Sequence, residues 1–236
     1  MKKNSLLILL LFSFLMAYSQ SNKDRQKKIE KFMKYLLLSL LLHPFLLYAQ
    51  QAGTCKDPRD GQIYNTITIG NQTWMAENMR YKISGANLNQ KNPDIKYGRL
   101  YSWEQAKKVC PKGWHLSSTK DWKNLIDFVE TKFGTENADG DAWSLAGHHF
   151  KTIEGWEDPE FSSNSIGFNA LPAGFYSACS KTFDELGTLA AYFIAEETDA
   201  NAVEALVLHS GGNEILFIPY SKTDGLSCRC VKDQTE

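Results

Sequence analysis

Two cysteine-bearing segments, one midway along the chain and one near its C-terminus, constrain this sequence most. The first reads Trp103-x-x-Ala106-x-x-x-Cys110-x-x-Gly113-Trp114-His115-Leu116 and continues into Trp122-x-x-Leu125; the second is Cys228-Arg229-Cys230-Val231. Trp103, Ala106 and Cys110 recur at helical spacing, which stacks them on one face pointing into a core. Pro111 and Gly113 stop that helix. Together the two segments describe a fold closed on itself, with one cysteine behind an early helix and another in the last strand.

A second helix is expected to open at Ser118. Asp121 follows at the spacing that lets each side chain reach a free backbone N–H of the first turn. Trp122, Leu125, Ile126, Val129 and Phe133 mark its buried stripe, and Gly134 is placed to close it. Before the helices, Asp57-Pro58-Arg59-Asp60-Gly61 is turn chemistry. Ile63–Ala76 reads as a hairpin, with its turn at Gly70-Asn71-Gln72. Residues 82–97 are polar, carry Gly85 and Pro93, and read as a surface loop. After residue 135, short strands are expected at Phe168–Leu171, Ala190–Ile194, Ala205–His209, Ile215–Pro219 and Ser227–Val231, with Gly211-Gly212-Asn213 turning one hairpin. Two early helices followed by short, loop-rich strands indicate an α+β domain.

The N-terminus carries two signal-like segments. Lys2 and Lys3 precede an apolar run from Leu6 to Ala17; a basic stretch ending at Lys34 precedes a second run from Leu36 to Tyr48. Each run is shorter than the roughly 20 residues that span a bilayer, and Pro44 interrupts the second. Cleavage at the second would discard the first. Residues 1–32 therefore read as an upstream extension or a first signal-like segment, with translation from Met33, and residues 33–50 as a signal peptide. A retained membrane anchor is the rival reading. Residues 51–236 form the expected domain, exported to the periplasm, cell surface or medium, with no membrane span in the mature chain.

Charge argues against nucleic acid as a partner, since 26 Lys+Arg nearly balance 27 Asp+Glu. Six Trp and ten Tyr fit a core, although aromatic-rich surfaces also bind sugars and proteins. Five cysteines in an exported chain imply at least one disulfide and leave one sulfur over. Cys55 follows the second apolar run at a distance and reads as a structural cysteine, with lipid attachment as the alternative; Thr54 fits a lipobox poorly.

Few residues nominate chemistry. His148-His149 offers two imidazoles, but adjacent side chains usually point apart and no third ligand stands at useful spacing. Asn137-x-Asp139-x-Asp141 resembles the opening of a calcium loop, yet Gly140 is misplaced and a closing Glu is missing. Glu157-Asp158-Pro159-Glu160 has the flavour of a lectin calcium motif without its amide. His115 reads as a core-edge residue. No G-x-S-x-G occurs and no Ser/His/Asp set can be nominated from the sequence, so no catalytic residue is proposed. No cofactor is required; calcium is the one the loops would admit.

The motifs Asp60-Gly61-Gln62-Ile63-Tyr64, Ile69-Gly70-Asn71-Gln72-Thr73-Trp74-Met75-Ala76-Glu77-Asn78-Met79 and Gly98-Arg99-Leu100-Tyr101 resemble the Fibrobacter succinogenes major paralogous domain. So do Cys110-Pro111-Lys112-Gly113-Trp114-His115-Leu116, Gly167-Phe168-Asn169-Ala170-Leu171-Pro172-Ala173-Gly174 and Arg229-Cys230-Val231-Lys232-Asp233. The likeness runs through roughly residues 55–233. Such proteins are exported or surface-attached in Fibrobacter and Bacteroidetes-type bacteria. Their helix-cysteine pattern is similar to C-type-lectin-like domains and to the formylglycine-generating-enzyme fold. Ile194 and Ser117 stand where the family often has Trp and Pro, a warning that a surface pocket need not be shared.

The resemblance implies that Cys110 pairs with Cys230. It also implies a Cys55–Cys228 bridge if the first and last strands are neighbours, leaving Cys179 as the free thiol. A C-type-lectin-like single domain is the expected architecture, and a non-catalytic surface binding module, taking a glycan or an envelope protein, the expected function. Loops 82–97 and 135–165 would carry recognition. An enzyme on the formylglycine-generating-type scaffold and a purely structural envelope component are the alternatives; the cysteines map onto no active-site arrangement of the former.

Overall fold

The computed structural model describes residue 27 and residues 29–35, 51–134 and 144–234. Gln50–Glu236 forms one compact unit. The described residues before it, 27 and 29–35, are helical. Both signal-like apolar runs and the Asn137-x-Asp139-x-Asp141 motif lie outside the described residues. Among the described residues, no helix is long and apolar enough to cross a membrane.

The described residues of the unit are mixed α+β, with two α-helices and three small antiparallel sheets. Strands β1 (Gln51–Lys56), β2 (Ile63–Ile69) and β3 (Gln72–Met75) run in sequence. The β2–β3 hairpin pairs Ile69 with Gln72 across a two-residue turn, where Gly70 supplies a φ of 61° that most residues adopt only with strain. Helix α1 (Trp103–Val109) follows, then β4 (Trp114–Leu116) and helix α2 (Thr119–Phe133). Ser118 caps α2 as its spacing predicts: its Oγ accepts from the Asp121 N–H at 3.1 Å, and its own N–H donates to Asp121 Oδ2 at 2.9 Å. Gly134 ends the helix in the left-handed region, its N–H donating to Glu130 O at 2.7 Å.

The second half adds a hairpin of β5 (Phe175–Ser177) and β6 (Thr182–Asp184), and a three-stranded sheet of β7 (Leu189–Phe193), β8 (Ala202–His209) and β9 (Ile215–Ser221). The chain then returns to its beginning. Strand β10 (Cys230–Lys232) inserts between β3 and β4, giving the order β1-β2-β3-β10-β4; Val231 faces Trp74 on one side and His115 on the other.

Trp74, Trp122, Phe168 and Tyr192 form the centre of the core, all fully buried, with ring centroids of Trp74 and Trp122 only 4.7 Å apart. Trp103 and Trp156 are buried as well, their indole N–H groups donating to Ile194 O and Ala170 O. Many aromatic side chains of the described residues thus fill the interior, where tilted and edge-on ring pairs add to simple burial.

Several expectations are corrected. Phe168–Leu171 is not a strand; apart from one bridge between Lys151 and Ala170, the segment is irregular, because Asn169 sits at φ 57° and breaks the extended run. Only the end of Ser227–Val231 is strand, since Cys228 O accepts from Met79 N–H and Arg229 O from Ser117 N–H outside any ladder. Phe133 ends the α2 stripe 37 % exposed, stacked on His149 rather than inside the core. Strands β4, β5 and β6, of three residues each, are too short to show a period, and β1 carries too few apolar residues to announce itself.

Candidate functional site

The sulfur atoms come first, because they decide how the chain ends are held. Cys110, directly after α1, is bonded to Cys230 in β10, with Cα atoms 5.8 Å apart. Cys55, Cys179 and Cys228 are free thiols. The implied Cys55–Cys228 bridge is therefore corrected, and the reason is topological: β2 and β3 separate β1 from β10, so the first and last strands are not neighbours. Cys55 instead lies on the edge strand opposite Tyr64, whereas Cys228 is fully buried. Cys179 is exposed, in the β5–β6 turn.

Other nominated residues scatter. His148 and His149 share one 3-10 turn (Gly147–His149), and their rings do not point apart: the centroids are 3.7 Å from each other. His149 Nδ1 meets Ser165 Oγ at 2.5 Å. Burial, helped by His148 and Lys132, pushes His149 down to about 4, so the pair is packing rather than a charged site. Glu157 and Asp158 precede a 3-10 turn (Pro159–Phe161) whose first turn carries Glu160. Among the described residues, the only three metal-ligating side chains that converge are Cys110, Cys228 and Cys230.

His115 has a definite role. Its ring bridges two elements, with Nδ1 2.7 Å from Asp233 Oδ1 and Nε2 3.1 Å from Asp121 Oδ2, tying the chain end to the start of α2. Partial burial opposes the imidazolium, but the bonds to Asp233 and Asp121 outweigh it and the pKa is raised. A raised folded pKa means that this contribution to stability is complete below the unfolded value and is lost as pH rises through the folded one. Melting wild type and His115→Gln from pH 5.5 to 8.5 should give a gap between them that closes as pH rises. A gap constant across that range excludes a charged His115.

The loops meet at a cleft of about 320 Å³ lined by Lys96, Thr152, Ile153, Glu154, Gly155, Asn164, Asn169 and Leu171. Lys96 comes from the 82–97 loop; five of the others come from within 135–165. The two regions singled out from sequence for recognition thus converge on one surface depression. Its walls are held in unusual backbone: Asn164 at φ 47°, Asn169 at φ 57° and Gly155 at φ 96°. Asparagine is the side-chain residue best suited to that region. Here the two amides brace each other, Asn164 Nδ2 donating to Asn169 Oδ1 at 2.6 Å and Asn169 N–H to Asn164 Oδ1 at 2.9 Å. Thr152 Oγ1 is engaged by Glu154 O and Ala170 O, at 2.6 and 3.1 Å. Ile153 stands out at 64 % exposure, an apolar side chain offered to solvent beside one ammonium and one carboxylate.

Two cations are buried near these segments, Arg229 bonded to the backbone of the cleft residue Asn169 and Lys151 next to Thr152 in the chain, and sequence reading assigned neither a role. Arg229 has no solvent exposure; its guanidinium donates to Asn78 Oδ1 and Met75 O, both at 3.0 Å, to Phe168 O at 2.5 Å and to Asn169 O at 2.8 Å. Its carbon lies 4.2 Å from the Phe168 ring centroid and 5.4 Å from that of Tyr192. Lys151, equally buried, donates to His209 O at 2.8 Å and Gly212 O at 2.6 Å. Burial lowers it to about 8, partly offset by Glu214 and Asp158. The signal for Arg229 was its place between two cysteines of one extended terminal segment, where alternate side chains turn to opposite faces.

A disulfide-clasped α+β scaffold carrying a loop-built cleft is the class these observations define. The chain belongs to the Fibrobacter succinogenes major domain family, whose pattern matches residues 67–232. Strand β1 and Cys55 precede the matched residues. Comparison with curated proteins and with solved structures gave no significant match.

Proposed function

We propose that residues 51–236 form an exported, non-catalytic binding module of C-type-lectin-like architecture, displayed at the cell surface and recognising a saccharide at the Lys96–Glu154–Asn164 cleft. The observation that carries this reading is the meeting of both loop regions in one depression with mixed lining. Ile153 and Leu171 present apolar surface for the C–H face of a sugar ring. Lys96, Glu154 and the Thr and Asn groups around them supply donors and acceptors for hydroxyls. Charge in the cleft balances, which suits an uncharged ligand over an anion or a divalent cation. The lectin-like architecture draws support from the terminal strand inserted among the first strands and from the disulfide holding it behind α1. Export draws support from the signal-like segments and from that same bond, which persists in oxidising surroundings.

A glycan array probed with the purified chain, with millimolar calcium and with chelator, should show saccharide binding, and isothermal titration of the best binder should give its affinity. Lys96→Ala and Glu154→Ala should each weaken it about tenfold or more, the loss of one hydrogen bond to a charged group. Binding that both variants leave intact would place the ligand elsewhere. A silent array, with the protein recovered in the cytoplasmic fraction, would remove the proposal altogether.

A further inference from the structure

Three sulfurs, not two, meet behind α1. The Sγ atoms of Cys110, Cys228 and Cys230 all lie within 4.8 Å of one another, and the Cys228 thiol is 3.9 Å from Cys110 Sγ. Cys228 and Cys230 are both fully buried. They share one face of the terminal segment, while Arg229 between them reaches the Phe168–Asn169 carbonyls. Cys228 Sγ also lies 3.9 Å from Ala106 O in α1. A metal is not the reading, because two of the sulfurs are joined and freeing them would need a two-electron reductant that the structure does not hold.

We propose that Cys228 is a resident exchange partner of the Cys110–Cys230 disulfide, so that either cysteine of the terminal segment can clasp Cys110. In the exchange the Cys228 thiol gives up its proton and its thiolate attacks Cys110 Sγ. The Cys110–Cys228 bond forms as the Cys110–Cys230 bond breaks, and the departing electron pair resides on Cys230 Sγ, which takes up a proton. One disulfide and one thiol are present before and after, so no oxidant or reductant enters.

Burial holds the Cys228 thiol well above its ordinary pKa, with Arg229 offsetting little of it; at rest the sulfur is a thiol and the exchange is slow. Cys110 is only half-buried, so it is the sulfur an outside thiolate reaches. Attack there would give a mixed disulfide on Cys110 and release Cys230. Cys228 or Cys230 then attacks Cys110, expels the outside thiol and closes the clasp again. The duplicated cysteine thereby makes the closure of the chain end resistant to thiol attack.

Trypsin separates the two pairings, because Arg229 lies between the cysteines. Cys110 falls in peptide 109–112, Cys228 in 223–229 and Cys230 in 230–232. Full-length protein is incubated with reduced and oxidised glutathione, quenched in acid, alkylated, unfolded and digested without reductant. Peptide 109–112 should be found mainly on 230–232, with a second population on 223–229 that grows during incubation. In Cys230→Ser the 109–112 to 223–229 link should become the major one. Cys228→Ser should retain the native link and accumulate more glutathionylated Cys110. The proposal is overturned if Cys230→Ser carries Cys110 and Cys228 as two alkylated thiols while wild type shows no 223–229 link at any time. Should Cys230→Ser fail to fold, the wild-type time course decides alone: growth of that link supports the exchange and its absence refutes it.

Discussion

Replacing Cys110 with serine should lower the unfolding free energy by about 5 kcal/mol, the chain-entropy value for a crosslink spanning 120 residues. For a domain of this size that corresponds to a fall in Tm of roughly 10–20 °C. Two features make the effect large. The bond closes a loop of 120 residues, and the element it holds is weak alone: β10 has three residues and pairs with β3 through the single Val231–Trp74 partnership. Cys110 is also common to both disulfides that would tie the terminal segment back to α1, so no other cysteine can replace that tie. Cys230→Ser should cost less, because Cys228 stands in. The polar replacement at half-buried position 110 adds little packing loss. Urea unfolding of Cys110→Ser should show a lower midpoint, with reduced wild type falling on the same curve. A variant within about 1 kcal/mol of wild type would mean that the sheet, not the sulfur, holds the terminus.

Legibility in the sequence followed the physics of each element. Helix α2 could be read almost residue by residue because its signals are local: the Ser118–Asp121 cap, the stripe from Trp122 to Val129 and the left-handed Gly134 all act within a few residues of one another. The β2–β3 hairpin was legible for the same reason. Placement of β10 between β3 and β4 was not, since no local pattern tells a three-residue strand which partners it will find. That insertion also undid the Cys55–Cys228 bridge, which depended on β1 and β10 being adjacent. In the cleft, the contributing loops were foreseen from their polar, turn-rich composition, whereas Asn164 and Asn169 were not. Their importance rests on backbone angle and on a mutual amide bond across five positions. Phe168–Leu171 was read as a strand because Phe168, Ala170 and Leu171 are apolar; the left-handed Asn169 decides otherwise.

Arg229→Met should cost about 3–5 kcal/mol although it removes no ion pair. A charge in the interior is sustained only where dipoles or counter-charges surround it, and here carbonyls of Met75, Phe168 and Asn169, the Asn78 amide and two aromatic faces perform that task. Methionine keeps much of the volume but leaves those buried acceptors without donors, and each such loss to a charged partner is worth about 1.5–3 kcal/mol before relaxation. Arg229→Lys separates charge from geometry. A lysine retains the cation, yet its single nitrogen cannot span acceptors that the planar guanidinium reaches from three nitrogens, so most of the loss should persist. The damage should also be directional. Because Arg229 holds the Phe168 and Asn169 carbonyls, its removal should free the backbone that fixes Asn169 against Asn164, and amide exchange should accelerate at 164–171 sooner than in β8 and β9. Chemical denaturation gives the size, and hydrogen exchange gives the place. If Arg229→Lys matched wild type in both, the guanidinium would be a tenant of the core rather than the brace of Asn169.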